Sequence, residues 1–293
     1  MTPRRPPFAP RQCQRGAALL LAMILVTLVT TLAAGMVWQQ WRAVQVEAAE
    51  RARSQSAWIL SGALDWARLI LREDARSGGA DDLTEPWATA LAEIRLSTFL
   101  AADKNNNADD SGPDAFLSGS ITDAQARYNL RNLIVVDKLA PAELLVLERL
   151  LDGAGLPRKW ALQIGQGLLD ATLANTNGQA TTDDSNPPLL PQSVAQLAWF
   201  GLDAEGLQRL APLVVLLPQR TPINLNTASR EVLAAVINTD LSSAERLVQV
   251  RQRSPYKDLP GAAAQLPATA VLDPDHVDVK SSFFEVRGRL RLG

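Results

Sequence analysis

The chain begins with a polar, basic stretch and continues directly into a long run of apolar residues. The run covers residues 17–38 and contains no charged side chain. At a rise of ~1.5 Å per residue, one helix of this length crosses the ~30 Å hydrocarbon core of a bilayer. The run is preceded by four arginines, Arg4, Arg5, Arg11 and Arg15. Because basic residues are retained in the cytoplasm, we expect the residues after Trp38 to lie on the far side of the membrane.

The junction between the basic stretch and the apolar run allows three interpretations. A secretory signal peptide has a shorter apolar segment and a small-residue cleavage site, for which residues 33–35 are the candidate. An uncleaved signal anchor needs no such site. Here Arg15 and Gly16 stand directly before the run, which resembles the leader of type IV prepilin-like proteins. We therefore predict cleavage between Gly16 and Ala17, which would leave the whole apolar helix in the mature protein.

The apolar run passes into an amphipathic segment without a helix-breaking proline before residue 77. Ile59, Ala63, Trp66 and Ile70 are spaced as one stripe of a helix. The pattern predicts a single helix of about 60 residues, ~90 Å long, whose second half packs on a globular domain. The alternative is a membrane helix and a separate soluble helix with a bend at Gly35.

Short elements follow the long helix. The pattern predicts a helix over residues 85–99, a polar loop over 103–114, and strands over 115–121 and 126–130. Apolar and charged residues then alternate over 284–292, as in a strand with one buried face. Because a single strand is not stable alone, we expect it to pair with the strands of residues 115–130. The intervening segment is then an insertion in an α+β domain.

Two short sequences within this insertion resemble each other, YNLRNL at residues 128–133 and INLNTA at residues 223–228. Each is followed by segments with helical periodicity, which we predict over residues 141–151, 158–173, 192–200 and 204–210 for the first, and 228–237 and 243–253 for the second. Thr227 is expected to be an N-cap, and Ser242 and Glu245 to form a capping box. The insertion is therefore predicted to contain two helical modules in tandem.

Charge and cysteine content favour an exported protein. The chain has 29 basic and 31 acidic residues and a net charge of −2. The leader holds four arginines and no acid, so removing its charge of +4 leaves −6 on residues 17–293. An acidic surface of this kind is a poor match for nucleic acid or anionic lipid. Cys13 is the only cysteine and lies in the leader, which suits an oxidising compartment.

The sequence carries few signatures of catalysis. His276 is the only histidine, and a lone histidine in a loop is usually a solvated side chain. The phosphate-binding pattern G-x-x-x-x-G-K-[ST] is absent from the sequence. A serine nucleophile cannot be assigned without a histidine partner. The sequence therefore predicts a protein that is not an enzyme.

Two loops offer oxygen donors for a hard cation. Residues 103–114 alternate Asp and Asn in the manner of a calcium loop, but Ala108 occupies the position that needs glycine. The second candidate set comprises Asp170, Asn175, Asn177, Asp183 and Asp184. Ligands that are all oxygen select Ca²⁺ over a transition metal. We therefore predict calcium as the cofactor, with the second set as its candidate site.

The segment of residues 221–228 also resembles the opening of helix-hairpin-helix DNA-binding motifs. Those motifs require a glycine-rich hairpin whose backbone amides contact phosphate. Here the corresponding turn, residues 238–241, has neither glycine nor a basic cluster, and Asp240 would repel phosphate. We interpret the segment as a scaffold in which asparagine side chains cap backbone groups, and predict no nucleic-acid partner.

The leader ending at Gly16, the two repeats with their helical modules and the alternating strand together resemble the minor pseudopilin K family of the type II secretion system. Other pseudopilins carry glutamate at the fifth position after the cleavage site, where it is understood to neutralise a neighbouring subunit's terminal amine. The corresponding residue here is Leu21. A buried unpaired charge is costly inside a membrane. A subunit that lacks this glutamate is therefore expected at the tip of the fibre.

The resemblance implies a fold and its division. The implied fold is α+β: a long N-terminal transmembrane helix packed on a small antiparallel sheet, with a large helical insertion of two SAM-like or helix-hairpin-helix-like modules. The implied segments begin with a cleaved leader (1–16), a transmembrane helix (17–38) and the pseudopilin helix with the first strands (39–126). Two helical modules (127–217 and 218–275) and a returning strand (276–293) follow.

The resemblance also implies a location and partners. The chain would span the bacterial inner membrane once, with most of its mass in the periplasm, after cleavage and methylation by prepilin peptidase. Its implied partners are the minor pseudopilins I and J, together with the minor pseudopilin H and the major pseudopilin, in a fibre that exports folded proteins. In the family the insertion binds two calcium ions, although here the usual Asp-x-Asp is reduced to Asp170 and Thr172. The alternatives are a minor pilin of a type IV pilus or competence system, and a membrane-anchored DNA receptor.

Overall fold

The computed structural model describes residues 15–101, 115–177, 189–267 and 272–292. The chain divides into two compact units, Met1–Ser61 and Gly62–Gly293. Most of the leader, the loop of residues 103–114, and Asp183 and Asp184 lie outside the described residues.

The helices and strands follow one another as an N-terminal helix, a few strands, a mostly helical middle and a long last strand. The helices are α1 (Arg15–Ser77), α2 (Leu96–Ala101), α3 (Pro141–Gly153), α4 (Lys159–Asn177), α5 (Ala204–Leu210), α6 (Arg230–Ile237), α7 (Leu241–Arg253) and α8 (Leu259–Ala263). The strands are β1 (Leu91–Arg95), β2 (Ala115–Asp123), β3 (Tyr128–Asn129), β4 (Ile134–Val135), β5 (Lys138–Leu139), β6 (Val214–Val215), β7 (Ile223–Asn224), β8 (Val277–Asp278) and β9 (Phe284–Leu292).

Helix α1 is continuous over 63 residues, so the prediction of one long helix is confirmed and the helix is not interrupted at Gly35. It is the described helix that is long and apolar enough to cross a membrane, and the side chains of that apolar window are exposed. The hydroxyls of Thr27 and Thr30 donate to backbone carbonyls in the preceding turn. These bonds satisfy the polar groups within the apolar run, as a bilayer interior requires.

The amphipathic part of α1 has a buried stripe that differs by one position from the predicted one. Ala67 is the most buried residue of the helix, whereas Trp66 is 45% exposed. Ile70 and Ala63 are half-buried, as expected. The apolar character of Trp66 places it in the predicted stripe, but the small side chain of Ala67 makes the close contact.

The main sheet has the order β1-β2-β9 and both pairings are antiparallel. Strand β9 pairs with β2 over its full length, from Phe284 with Asp123 to Leu292 with Ala115. The prediction that the last strand returns to strand 115–121 is therefore confirmed, and residues 124–283 are an insertion between neighbouring strands. The two glycines Gly119 and Gly288 face each other, and a Cβ at Gly119 would lie 2.9 Å from the Arg287 carbonyl oxygen.

The predicted helix over residues 85–99 is wrong. This segment forms a 3₁₀ turn, Pro86–Ala88, followed by strand β1 and the short helix α2. Trp87 in the turn is 1% exposed and packs edge-on against Phe284, with ring centroids 5.0 Å apart. The alanine- and leucine-rich sequence favours a helix locally, but pairing of β1 with β2 decides the structure.

The two sequence repeats adopt matching structures. In each, the first two residues form a short strand that pairs in parallel with a distant segment, β3 with β6 and β7 with β8. In each, the asparagine side-chain oxygen accepts a hydrogen bond from the backbone N–H two residues on, Asn129 from Arg131 and Asn224 from Asn226. The predicted capping role is therefore confirmed for Asn224, and Asn129 of the first repeat has the same role. The second predicted strand, 126–130, is present as β3 but lies outside the main sheet.

The helices after the repeats lie close to their predicted positions, but their caps differ. Ser229 rather than Thr227 caps α6, and Asp240 rather than Ser242 caps α7. The predicted segment 192–200 is a 3₁₀ helix over Val194–Phe200. One hydrophobic cluster extends from Tyr128 to Val279 and includes residues of both predicted modules. The tandem repeats therefore share a single core.

Candidate functional site

A buried polar network lies where the insertion leaves β2 and returns to β9. Its centre is the Asp123 carboxylate, which is 5% exposed as a residue. One of its oxygens, Oδ2, accepts hydrogen bonds from Asn224 Nδ2 at 3.0 Å, Thr227 Oγ1 at 2.5 Å and Ser281 Oγ at 2.6 Å. Asn224 Nδ2 also donates to the Asp81 carbonyl at 3.0 Å. The network thus joins the end of β2, the second repeat and the segment before β9.

The same network continues through Gln125. Its Nε2 donates to the Pro222 carbonyl at 3.0 Å, and its Oε1 accepts from the Ser282 backbone N–H at 2.7 Å. Asp81 extends the network towards β9. Its carboxylate accepts a hydrogen bond from the Ser281 N–H at 2.6 Å, and its N–H donates to the Val279 carbonyl oxygen. Because buried polar groups of this kind tolerate few arrangements, the network fixes the insertion on the sheet.

Three carboxylates lie beside this network. Ligand oxygens of Asp74, Asp81 and Glu85 all lie within 4.8 Å of one another. Burial raises the pKa of the Asp81 carboxyl, against hydrogen bonding from Ser281 that lowers it. Burial also raises the pKa of Glu85, whose Oε2 accepts from Trp87 Nε1 at 2.6 Å. Repulsion from Glu85 adds to the increase in the pKa of Asp81, and repulsion from Asp74 and Asp82 adds to the increase in the pKa of Glu85. This cluster was not predicted from the sequence.

We expect replacement of Glu85 by glutamine to stabilise the protein at neutral pH. The pKa of Glu85 is raised in the folded state, so its negative charge opposes folding above that pKa. The opposition disappears as the pH falls towards the unfolded value near 4.5. The amide oxygen of glutamine can still accept from Trp87. Denaturant unfolding at pH 7 and pH 4.5 should show a gain for Glu85→Gln that shrinks at the lower pH. A gain that grows on acidification would contradict the assignment.

The predicted calcium ligands are not brought together within the described residues. Asp170 and Asn175 both lie on α4, which continues to Asn177 where a loop was expected after residue 173. Five residues along a helix correspond to a rotation of about 140°, so these two side chains leave from different faces. Thr172 is buried and its hydroxyl donates to the Leu168 carbonyl. Asp183 and Asp184 lie outside the described residues, so the set remains a prediction.

His276 is not the solvated loop residue that the sequence suggested. Its side chain is 27% exposed, with Nε2 3.2 Å from Glu143 Oε1 and Nδ1 3.1 Å from Asp273 Oδ2. The Glu143 side chain is 3% exposed and its second oxygen accepts from Tyr128 Oη at 2.8 Å. The Arg220 guanidinium lies 3.6 Å from Glu143. The histidine therefore connects the start of the returning segment, residues 276–293, to α3 of the first module, a long-range contact that the sequence pattern did not indicate.

The turn between α6 and α7 has the features expected of a scaffold. Asn238 ends α6 in the left-handed conformation with φ 55°, which asparagine tolerates. Asp240 caps α7, accepting from the Ser243 N–H at 2.9 Å. Hydrogen bonds from Ser242 and Ser243 lower the pKa of this exposed carboxyl, so it is negatively charged at neutral pH. A charged aspartate at this position is unfavourable for phosphate binding.

Comparison with known proteins assigns the chain to a family. Models described as type II secretion system (T2SS), protein K match residues 126–219 and 223–280. Together the two matches cover more than half of the chain. The chain belongs to the type II secretion system protein K family. Members of this family are structural pseudopilins and not enzymes, in agreement with the sequence-based prediction.

Individual relatives agree with this assignment. A type II secretion system protein K of Pseudomonas aeruginosa is 29% identical over 266 residues, which cover 84% of this chain and 75% of the relative. One of Klebsiella pneumoniae is 28% identical, covering 86% of this chain and 79% of the relative. The fold is also similar to a chain in the crystal structure of the GspK-GspI-GspJ complex from enterotoxigenic Escherichia coli. That match has a TM-score of 0.59 and 18% identity over 83% of this chain and 88% of that chain.

Proposed function

We propose that this protein is the tip subunit of a type II secretion pseudopilus, anchored in the inner membrane by α1. The observation that carries the proposal is Leu21, an apolar residue at the position where shaft-forming pseudopilins carry glutamate. A subunit with Leu21 cannot neutralise the terminal amine of a neighbour placed above it. It would therefore have subunits below it only. The large insertion held on the sheet by the Asp123 network would form the bulk of the tip.

The proposed partners are the minor pseudopilins I and J, since the similar fold was solved in a complex of GspK, GspI and GspJ. Assembly with them would start the fibre that moves folded proteins across the outer membrane. The minor pseudopilin H and the major pseudopilin would follow below. The test is affinity purification of the full-length chain from membranes of cells expressing the pseudopilins I and J of the same system. Retention of both supports the proposal. Loss of both, or salt-sensitive binding to duplex DNA, would favour the pilin or receptor alternatives.

Calcium binding by the insertion is a further part of the proposal. Asp183 and Asp184 would be the main donors, together with Asn177 and one of Asp170 and Asn175, because these last two leave from different faces of α4. The donor chemistry fits Ca²⁺, and the two acidic residues outside the described part would have to supply most of the charge. We expect the double variant Asp183→Asn, Asp184→Asn to lower Ca²⁺ affinity by about tenfold or more in calorimetric titration of the full chain. The matched control is Asp152→Asn, which removes an exposed carboxylate elsewhere. Equal affinity in all three proteins would contradict this site.

A further inference from the structure

Strand β9 forms an open edge of the main sheet. Among the described residues only β2 pairs with it, over all nine positions without a register shift. The bond from the Ala124 N–H to the Phe283 carbonyl, 3.0 Å, fixes the alternation of the ladder. Because hydrogen-bonded and non-hydrogen-bonded pairs alternate in an antiparallel ladder, the backbone N–H and C=O groups of Glu285, Arg287, Arg289 and Arg291 point towards β2. Those of the alternate residues, including Val286, Gly288 and Leu290, are directed to the open edge.

The other edge strand is built differently. Strand β1 has five residues, and its register with β2 is irregular between Leu91 and Ile94. Irregular pairing and short length are ordinary ways to prevent a sheet edge from accepting another strand. Strand β9 has nine residues in regular register, so its edge is geometrically ready for pairing.

A groove of about 660 Å³ runs beside this edge, between α1 and the start of β9. Its apolar lining includes Leu64 and Leu71 of α1 and Phe284 and Val286 of β9, with Arg68 and Arg72 on the α1 side. Residues that alternate along a strand share one face. A strand added beside β9 would therefore direct every second side chain into this groove.

The opposite face of β9 is basic. The strand contains three arginines, Arg287, Arg289 and Arg291, and one acid, Glu285. Arg287 pairs with Glu285 at 2.6 Å and Arg291 with Glu93 at 2.6 Å, and both arginine side chains are more than half exposed. Within the described part of the chain no ion pair is formed by Arg289. The positive charge along this face exceeds the negative charge that compensates it.

We propose that the edge of β9 accepts an extended strand from a neighbouring pseudopilin, one that alternates apolar and acidic side chains. Its apolar residues would enter the groove beside Leu64 and Val286, and its acids would lie opposite Arg287, Arg289 and Arg291. A second copy of this chain does not fit, because pairing two β9 strands would place arginines against arginines. The inference rests on the proposed function, since it assigns part of the contact with the pseudopilin I or J.

The first test uses edge-specific variants of the full-length chain purified with the pseudopilins I and J. Val286→Pro removes a backbone donor from the open edge while leaving the donors to β2 in place, and Val286→Ala is its control for the lost side chain. We expect Val286→Pro and Arg289→Glu each to reduce recovery of one partner by about tenfold or more, and Val286→Ala to reduce it much less. If the wild-type chain recovers neither partner, the proposed function fails. If wild type and Val286→Pro recover both equally, only the edge inference fails.

A second measurement needs no variant. Amide hydrogen exchange is compared residue by residue between the chain alone and its complex with the pseudopilins I and J. The N–H groups of Val286, Gly288 and Leu290 should exchange rapidly in the free chain and be slowed by about 100-fold or more in the complex. Those of Arg287 and Arg289 should be protected in both states. Outward amides that exchange at the same rate in both states would overturn the inference, with the arginines then acting only to block pairing.

Discussion

Replacing Asp123 with alanine is expected to lower the free energy of unfolding by about 3–5 kcal/mol, because several buried donors lose their shared acceptor. Asn224, Thr227 and Ser281 all donate to one oxygen of Asp123, and the other oxygen accepts from the Gln125 N–H at 2.7 Å. The carboxylate is nearly fully buried, and desolvation raises its pKa in spite of these bonds. Because the site is buried, water cannot readily replace the Asp123 carboxylate as the hydrogen-bond acceptor.

Denaturant unfolding of the detergent-solubilised chain, followed by circular dichroism, measures this change. Asp123→Asn should fall between alanine and wild type, since it keeps the shape but directs an amide N–H₂ at existing donors. Asp152→Ala is the control, because Asp152 is exposed and pairs only with Arg158 among the described residues. We expect the control to change stability by less than about 0.5 kcal/mol. An Asp123→Ala protein as stable as wild type would show that the network does not hold the insertion.

Replacing Gly16 with a bulky residue is expected to abolish secretion supported by this protein. If prepilin peptidase cuts between Gly16 and Ala17, a side chain at Gly16 blocks cleavage and keeps the four leader arginines on the helix. Those arginines hold the N-terminus at the cytoplasmic surface, so α1 could not enter the fibre. Intact-mass analysis should show the mature chain beginning at Ala17 for wild type and the unprocessed chain for Gly16→Leu.

The matched control is Gly35→Ala in the same helix. A Cβ at Gly35 meets no atom within 4 Å, and alanine is a better helix former by about 1 kcal/mol. This variant should be processed and should support secretion normally. A wild-type product that retains Met1, or one cut after residue 33, would contradict the leader and support the uncleaved anchor or the signal peptide.

The sequence was informative where a local pattern determines the structure. Helix α1 was predictable because no proline interrupts residues 17–77 and the apolar run passes directly into an amphipathic helical pattern. The matching structures of the two repeats were predictable because the turn in each depends on a local contact: Asn129 and Asn224 each accept a hydrogen bond from the backbone N–H two residues on. Strand β9 was predictable because apolar and charged residues alternate along it, and its pairing was predictable because a single strand is not stable alone.

Contacts between distant parts of the chain were not predictable in this way. Strand β1 was missed because its residues favour a helix until β2, some twenty residues later, pairs with them. The Asp123 network was missed because its members, Asp81, Asp123, Asn224 and Ser281, are separated by up to 200 residues. The one signal in the sequence was Asn224, whose position in the repeat marks a structured turn. The contact between His276 and Glu143 was not predictable for the same reason, because the two residues are far apart in the sequence.

The proposed function requires that one copy of this protein occupies the tip of the pseudopilus together with the minor pseudopilins I and J. Native mass spectrometry of the complex purified from membranes counts the copies directly. We expect a complex with a single copy of this chain beginning at Ala17, bound to both of these pseudopilins. A complex containing several copies of this chain in a repeating series, or the chain recovered without either partner, would contradict the proposal.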